Sequence, residues 1–224
     1  MSVRLAPRTY VARDGSIVAC IHARRDDLSQ PLVRAMQDAF NECVPGSSRR
    51  TLEQGRTYPQ YGPLDAAEFA ASFLAYDVVV GVLVDGEYGD DEEVPDALGD
   101  SLRASLADAS SAGGNADASL CGFFYVKPNY PGRSAHLCNA GFVVPTSARG
   151  RGLGHVLARS FISTAPRLGY RGSVFNLVYS SNVASLRLWE AHGFSVVGRI
   201  PQAGRLRGAD GYDDAFVIYR DFAT

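Results

Sequence analysis

The sequence predicts one α+β domain, an α/β sandwich in which helices cover a central sheet. Runs of β-branched and apolar residues with the length of strands alternate with segments whose apolar residues repeat at helical spacing. The 224 residues are 46% hydrophobic and 21% charged, an ordinary globular composition that supports a full core. No internal repeat divides the chain, so we expect a single domain over residues 1–224.

Composition also limits the partners and the compartment. The net charge of −2 gives no basic surface for nucleic acid or for an anionic membrane. No apolar run approaches the roughly 20 residues of a membrane helix, and residues 1–5 lack the apolar stretch of a signal peptide. The cysteines are scattered without CxxC pairing, which indicates reduced thiols rather than a disulfide or zinc framework. We therefore expect a cytoplasmic protein without nucleic-acid or membrane partners.

The first predicted elements are a strand, two helices and another strand. β-Branched residues mark the strands, and apolar residues at helical spacing mark the first helix, which should stop near Pro45 and Gly46. An Ala-rich composition marks the second helix. In chain order these elements are expected over residues 16–23, 28–43, 65–75 and 78–84.

Residues 85–119 differ in kind, because they open with an acidic run and continue through Ala, Ser, Gly and Asp. Leu98, Leu102 and Leu106 are almost the only large apolar residues in this segment, and their spacing suits a short helix over 95–109. The rest is predicted to be a solvated, partly mobile insertion. Its acidic residues do not follow the calcium-loop pattern, so we expect no metal site.

The C-terminal half is predicted to alternate strands and helices. The segments 120–127 and 136–144 should pair as a hairpin, because prolines break the chain between them. Asn182 is a natural N-cap, and Gly193 a natural C′ stop, for a helix over 183–192. The remaining elements are a helix over 152–168 and strands over 173–179, 194–200 and 215–219.

A basic, glycine-rich loop, residues 149–154, joins a predicted strand to a predicted helix. Glycines at a helix N-terminus let main-chain N–H groups approach a phosphate, and arginines can bind it bidentately. The glycine order does not fit the dinucleotide fingerprint G-x-G-x-x-G, and no Gly-Lys-Ser/Thr follows as in a P-loop. A tight turn that binds nothing is the alternative, but two arginines among three glycines exceed what a turn needs.

Two motifs resemble those of the GCN5-related N-acetyltransferase (GNAT) superfamily. Arg149-x-x-Gly152-x-Gly154 is similar to its Q/R-x-x-G-x-G/A loop, which holds the pyrophosphate of acetyl-CoA. Asn182-x-x-Ser185, followed by Trp189 to Phe194, is similar to its second cofactor segment. The resemblance implies the GNAT fold, a mixed, mostly antiparallel, twisted sheet flanked by helices, with strands that splay apart at the cofactor.

A narrower resemblance connects residues 53 to the C-terminus with fungal L-azetidine-2-carboxylate N-acetyltransferases, which act on proline analogues. Four segments carry it: residues 55–60, 124–130, 138–142 and 175–178. Residues 1–52 match less well. The resemblance implies transfer of acetyl from acetyl-CoA to a proline-like imino acid, such as L-azetidine-2-carboxylate, hydroxyproline or pyrroline-5-carboxylate. It also implies detoxification of proline analogues and a homodimer.

The resemblance assigns acetyl-CoA to the strand 136–144, the loop and the helix that follows. The strand would pair with the pantetheine arm, and the N–H of Phe142 or Val143 would face the thioester oxygen. Trp189 stands where the superfamily has a tyrosine, and an indole cannot act as that general acid. The predicted cofactor-binding residues are Phe142, Val143, Val144, Arg149, Gly150, Arg151, Gly152, Leu153, Gly154 and Asn182.

Asn139 and Asn176 are the predicted catalytic residues. Each is an amide inside an otherwise apolar strand, and a buried amide without partners costs about 1–3 kcal/mol. In the related enzymes both line the substrate pocket, so we expect them to hold a water that carries the amine proton to solvent. Substrate contacts are further expected from Arg56, Tyr58 and Leu177, and Lys127 is a candidate partner for a carboxylate.

Three functions stay open from the sequence. The first is acetyl transfer to a proline-like imino acid by direct attack in a ternary complex. The second is acetyl transfer to a different small amine, such as a polyamine or another amino acid. The third is a non-catalytic acyl-CoA sensor, since a general base and the tyrosine are both missing. The alternative bases are His22, His136, His155 and His192. His136 would point to the strand face opposite Asn139, and the other three look like surface or helix positions.

Overall fold

The structure is a computed structural model that describes residues 4–44, 57–108, 120–206 and 210–223. Over these ranges it confirms the α/β sandwich, with one mixed sheet flanked by helices. The strands are β1 (Arg8–Val11), β2 (Ile17–Ala23), β3 (Asp77–Val84), β4 (Glu92–Glu93), β5 (Leu120–Pro128), β6 (Leu137–Val143), β7 (Gly172–Tyr179), β8 (Ser195–Gly204) and β9 (Asp213–Asp221). The helices are α1 (Gln30–Asn41), α2 (Ala66–Phe73), α3 (Asp96–Ala107), α4 (Leu153–Arg167) and α5 (Val183–Ala191).

The strand order is β4-β1-β2-β3-β5-β6-β7-β9-β8. Neighbours pair antiparallel except β6 and β7, which are parallel. The β6–β7 pairing consists of Leu137 with Gly172 and Cys138 with Ser173. Beyond these pairs the two strands continue to Val143 and Tyr179 without further pairing, so the sheet opens between them.

Each face of the sheet carries its own core. Aromatic residues of α1 and α2, Phe40, Phe69 and Phe73, pack on the face that includes Val143. On the other face α4 and α5 place Phe161 and Trp189 against the sheet. Each helix pair packs apolar side chains against the sheet, as amphipathic helices do, so the sheet is covered on both faces.

The structure adds two strands that the sequence analysis did not predict. β1 pairs with β2 as a hairpin, and β4 pairs with β1 at the edge of the sheet. Part of the acidic segment expected to be a solvated insertion is therefore tied to the fold, with Arg8 donating to Asp91 at 2.7 Å and Val94 buried. The helix expected around the three leucines is α3, in which Leu106 is buried. Residues 109–119 lie outside the described residues.

The other predicted elements are found within a few residues of their expected bounds. Asn182 caps α5, because its Oδ1 accepts from the Ser185 N–H at 3.2 Å. Gly193 ends the helix at φ = 75°, a conformation that favours glycine. All four cysteines are buried, and none of them forms a disulfide. None of the helices in the described ranges combines the length and apolar character required to cross a bilayer.

Candidate active site

A cavity of about 670 Å³ lies where β6 and β7 separate. The ends of β6 and β7, the first turns of α4 and α5, and the segment 57–60 form its walls. Predicted site residues that line it are Tyr58, Asn139, Phe142, Val144, Arg149, Gly154, Asn176, Leu177 and Asn182. The cavity therefore joins the predicted acceptor residues to the predicted cofactor residues.

The register of the β5–β6 hairpin fixes which main-chain groups of β6 face the cavity. The Asn129 N–H donates to the Leu137 carbonyl at 2.8 Å, and the register runs without a shift to Phe123 opposite Val143. Residues with hydrogen bonds to the partner alternate along an antiparallel strand. Val143 thus points its N–H toward β5, whereas Phe142 points its N–H and C=O into the opening.

Tyr58 supports this orientation of Phe142. Its hydroxyl donates to the Phe142 carbonyl at 2.7 Å, so that carbonyl is turned away from β5. Burial raises the pKa of the Tyr58 phenol well above its ordinary value, which keeps the hydroxyl protonated as a donor. The ring packs edge-on against Phe40 at 5.0 Å between centroids. Tyr58 therefore fixes the strand end while leaving the Phe142 N–H available.

The glycine-rich loop has the backbone that its sequence requires. Gly150 and Gly152 both have φ = +83°, in the left-handed region that favours glycine. A Cβ on Gly152 would lie 2.9 Å from the Arg13 Cβ, closer than carbon atoms pack. Gly154 is different, because its Cβ would meet only Leu188 Cδ2 at 3.7 Å. The loop conformation therefore depends on Gly152 and tolerates a small residue at 154.

The turn between β1 and β2 braces this loop from behind. The Arg13 N–H donates to the Arg151 carbonyl at 3.2 Å, and its guanidinium donates to the Gly150 carbonyl at 2.8 Å. In a trans peptide the C=O of one residue and the N–H of the next point to opposite sides. The N–H groups of Arg151 and Gly152 therefore point away from the turn, where an anion can approach.

Arg151 departs from the expectation that both arginines bind phosphate through their side chains. Its Nε donates to Asp14 at 2.6 Å and one Nη donates to Ser16 at 2.9 Å. Hydrogen bonds from Ser16 and Arg151 hold the pKa of the Asp14 carboxyl below its usual range. The Arg151 side chain thus serves to hold the loop, and its main-chain N–H is what it offers to a ligand.

The N-terminus of α4 suits a diphosphate. No side chain of the described residues caps it, and its first turn holds no acidic residue. The first N–H groups of a helix need acceptors, and the helix dipole favours an anion there. Arg149 is exposed at the cavity edge, where it contacts the Val144 carbonyl and Cys43 Sγ, both at 3.4 Å. An uncapped helix, a glycine loop and an arginine together fit the pyrophosphate of an acyl-CoA.

Three asparagines meet across the strand opening. Asn129 Oδ1 accepts from Asn139 Nδ2 at 3.0 Å and from Asn176 Nδ2 at 2.6 Å. Asn129 Nδ2 donates to Asn176 Oδ1 at 3.0 Å. The predicted pair of amides is therefore brought together through a third amide, Asn129, which lies in the segment 124–130 and had no predicted role.

Trp189 occupies the position of the missing tyrosine and lines the cavity. It is 4% exposed and packs against Phe142 and Phe175, with ring centroids 4.8 and 4.7 Å away. Asn182 also lines the cavity; its Oδ1 caps α5, which leaves its Nδ2 for a ligand. The two residues of the second motif thus shape the cavity wall without offering a titratable acid.

The described lining of the cavity carries no Asp or Glu. Its histidine, His155, is bonded to His192 at 3.1 Å between ring nitrogens, and burial lowers the pKa of His192. His22, expected at a surface or helix position, is instead buried in β2, 3.0 Å from Asp77 and away from the cavity. Within the described residues no cluster of three or more His, Cys, Asp or Glu could hold a metal ion.

The remaining predicted site residues that the structure describes do not line the cavity. Val143 is 1% exposed and its side chain packs in the core. Gly150, Arg151, Gly152 and Leu153 form the loop and helix start next to the cavity, while Arg56 lies outside the described residues. Tyr125 and Gln60 also line the cavity, and the buried Gln60 Oε1 has no hydrogen-bond partner. No periodicity in the sequence marks these two residues.

Comparison with known proteins places the chain in a family. A sequence model of the Acetyltransferase (GNAT) family matches residues 83–194. N-acetyltransferase aca1 of Schizosaccharomyces pombe is 39% identical over 173 residues, which cover 77% of this chain and 76% of that protein.

Solved structures share the fold. A GCN5-related N-acetyltransferase from Kribbella flavida superposes with a TM-score of 0.64 at 26% identity, covering 91% of this chain and 97% of that one. The yncA acetyltransferase from Salmonella typhimurium, solved with its cofactor acetyl-CoA, gives 0.60 at 18% identity, covering 91% and 94%. The chain therefore belongs to the GNAT family and is an N-acetyltransferase.

Proposed function

We propose that this enzyme transfers acetyl from acetyl-CoA to the amine of a proline-like imino acid by direct attack in a ternary complex. The observation that carries the proposal is the single cavity at the β6–β7 opening. At one end lies the uncapped α4 N-terminus with its glycine loop, and at the other lie Asn139 and Asn176. Donor and acceptor can therefore meet between the separated strands.

The charges around the cavity favour a zwitterionic acceptor over a polyamine. A polycation would need carboxylates, and the described lining has none. Lys127 lies opposite Asn139 on the neighbouring strand, and cross-strand partners have side chains on the same face. Its Nζ is 5.0 Å from the centroid of the Tyr125 ring, which lines the cavity. We assign Lys127 as the residue that binds the carboxylate of the acceptor.

The chemistry needs a positioned amine, a donor for the carbonyl oxygen and a path for the amine proton. The amine nitrogen bonds to the thioester carbon of acetyl-CoA to give a tetrahedral oxyanion. The C–S bond then breaks, and the CoA thiolate leaves and takes a proton from solvent, because Trp189 has none to give. The Phe142 N–H, directed into the opening, is our assignment for the oxyanion donor in preference to Val143. The proton leaves through a water held by Asn139 and Asn176, because an amide accepts a hydrogen bond but cannot act as a base.

Two other functions are compatible with the same fold. One is acetylation of a different small amine by the same cavity. The other is an acyl-CoA sensor without catalysis, which Trp189 favours because it cannot protonate the leaving thiolate. Lys127 and the asparagines argue for an imino acid, since a sensor needs no polar groups where an acceptor would sit.

The test is thiol release from acetyl-CoA with a panel of amines. We expect release with L-azetidine-2-carboxylate or hydroxyproline, with pyrroline-5-carboxylate only through its hydrated, open-chain amine form, and little with a polyamine. Release with a polyamine alone would support the second function. Calorimetry that detects binding of acetyl-CoA, together with no thiol release for any amine, would support the sensor.

Lys127→Met should raise the KM for an imino acid about 10-fold and leave kcat and the KM for acetyl-CoA nearly unchanged. The reason is that an ionic hydrogen bond contributes about 1.5–3 kcal/mol to uniform binding. Lys127→Arg keeps the charge and is the matched control. The informative comparison uses an acceptor without a carboxylate, whose KM should not respond; an equal rise for both acceptors would contradict the assignment.

A cytoplasmic location and a homodimer also belong to this proposal, with proline-analogue detoxification as its context. Four buried cysteines without a disulfide suit a reducing compartment. The edge strand β8 exposes Val196, Val197 and Ile200, each more than 40% accessible, which suits a self-complementary interface. Sedimentation at micromolar concentration tests the dimer.

A further inference from the structure

We propose that Asn129 is a positioning residue that fixes the side-chain amides of Asn139 and Asn176, so that the Asn139 carbonyl oxygen faces the acceptor amine. The inference rests on the proposed function and goes beyond it. It fixes the direction of the hydrogen bond: the protein accepts, and the N–H of the substrate donates.

Asn129 is the only link between the two amides among the described side-chain hydrogen bonds. The β6–β7 ladder ends at Cys138 and Ser173, before either asparagine, so no main-chain pairing holds Asn139 against Asn176. Asn129 spans the gap with one oxygen that accepts from both amides, at 3.0 and 2.6 Å. Its own N–H is fixed to the Leu137 carbonyl at 2.8 Å, which anchors it to the hairpin.

The hydrogen-bond inventory determines which atoms remain for a substrate. Asn176 is bound reciprocally, because its Nδ2 donates to Asn129 and its Oδ1 accepts from Asn129 at 3.0 Å. Asn139 Nδ2 donates to Asn129 Oδ1. Within the described part of the chain, Asn139 Oδ1 has no hydrogen-bond partner. Since Asn139 lines the cavity, the atom it offers is an acceptor.

This arrangement suits a secondary amine about to attack an acyl group. An imino acid whose nitrogen has lost its ammonium proton has one N–H. This N–H must be directed away from the acetyl carbon, which the nitrogen lone pair attacks. A carbonyl oxygen held in one orientation aligns that N–H, whereas a rotating amide would offer N–H and C=O in turn. The orientation of a reacting group strongly affects the rate, and a misplacement of about 1 Å can lower the rate about 100-fold.

Asn129→Leu removes all of these side-chain bonds while keeping the size of the residue. We expect kcat for the imino acid to fall about 10-fold or more, with the KM for acetyl-CoA unchanged. Tyr130→Phe is the neighbouring control. The Tyr130 hydroxyl lies 3.4 Å from Asn176 Oδ1, a long contact, and Asn129 still holds that oxygen after its loss. We expect kcat within about twofold of the parent enzyme.

Asn129→Asp gives a signature that a general structural role would not produce. The carboxylate still accepts from both amides but cannot donate to Asn176 Oδ1; protonation restores that donor. The ratio of variant to parent kcat should therefore rise as the pH falls through the pKa of the new carboxyl. A pH-independent ratio would overturn the reciprocal bond to Asn176.

Side-chain amide signals in ¹H–¹⁵N spectra report the geometry without activity. The NH₂ signals of Asn139 and Asn176, identified by their loss in alanine variants, should move in Asn129→Leu and stay in Tyr130→Phe. If the parent enzyme acetylates no amine, the proposed function fails and these signals still decide the geometry. If it is active and Asn129→Leu keeps its kcat, or if the signals do not move, the positioning role is rejected.

Discussion

Gly152→Val should weaken acetyl-CoA binding by at least about 100-fold and abolish measurable turnover. Valine at φ = +83° is strained, and its Cβ would lie 2.9 Å from the Arg13 Cβ. The loop can relieve this contact only by moving, which turns the N–H groups of Arg151 and Gly152 from their present direction. The main-chain phosphate site is then lost, since the Arg151 side chain is committed to Asp14.

Calorimetric titration with CoA measures the effect, and Gly154→Ala is the matched control. That substitution adds a Cβ with only an ordinary contact to Leu188 Cδ2, at 3.7 Å. We expect its affinity to stay within about threefold of the parent, a difference of less than 1 kcal/mol. The thermal midpoint of Gly152→Val should fall by no more than about 10 °C, because backbone strain at one position costs about 1–3 kcal/mol. Undiminished CoA affinity in Gly152→Val would contradict the main-chain site.

The contrast between these two glycines shows how far the sequence determines this site. The motif identifies the loop, and apolar periodicity places the following helix within one residue of α4, which starts at Leu153. The positive φ of Gly152 is permitted by its residue type, because glycine lacks the Cβ that disfavours this conformation. These features are local, so a single sequence contains them.

Features that depend on distant parts of the chain could not be predicted in this way. Arg151 binds Asp14, which is 137 positions earlier, so its commitment becomes visible only when the β1–β2 turn is placed behind the loop. β4 is a two-residue strand created by pairing with β1. Asn129 follows a proline and reads as a turn residue. Its role as a bridge depends on the separation of β6 and β7.

Asn139→Ala should lower kcat/KM for the imino acid about 100-fold, and Asn176→Ala about 10-fold. Loss of a hydrogen bond to a group that changes charge removes about 1.5–3 kcal/mol, which corresponds to a factor of roughly 10 to 150. The effects differ because Asn139 presents its oxygen to the cavity, whereas both polar atoms of Asn176 are bonded to Asn129. Removing Asn176 therefore acts through Asn129 and through the water, which only the second lone pair of Asn176 Oδ1 can hold.

Steady-state kinetics at saturating acetyl-CoA measure both variants, and the double variant tests their coupling. Because Asn129 connects the two amides, the combined loss should be smaller than the product of the single losses. CoA affinity should stay unchanged in each variant, since the phosphate loop lies at the other end of the cavity. Wild-type kcat/KM in both single variants would remove the asparagines from the mechanism. Strictly multiplicative losses would instead keep them in it as independent contacts, and the shared amide bridge would have no energetic role.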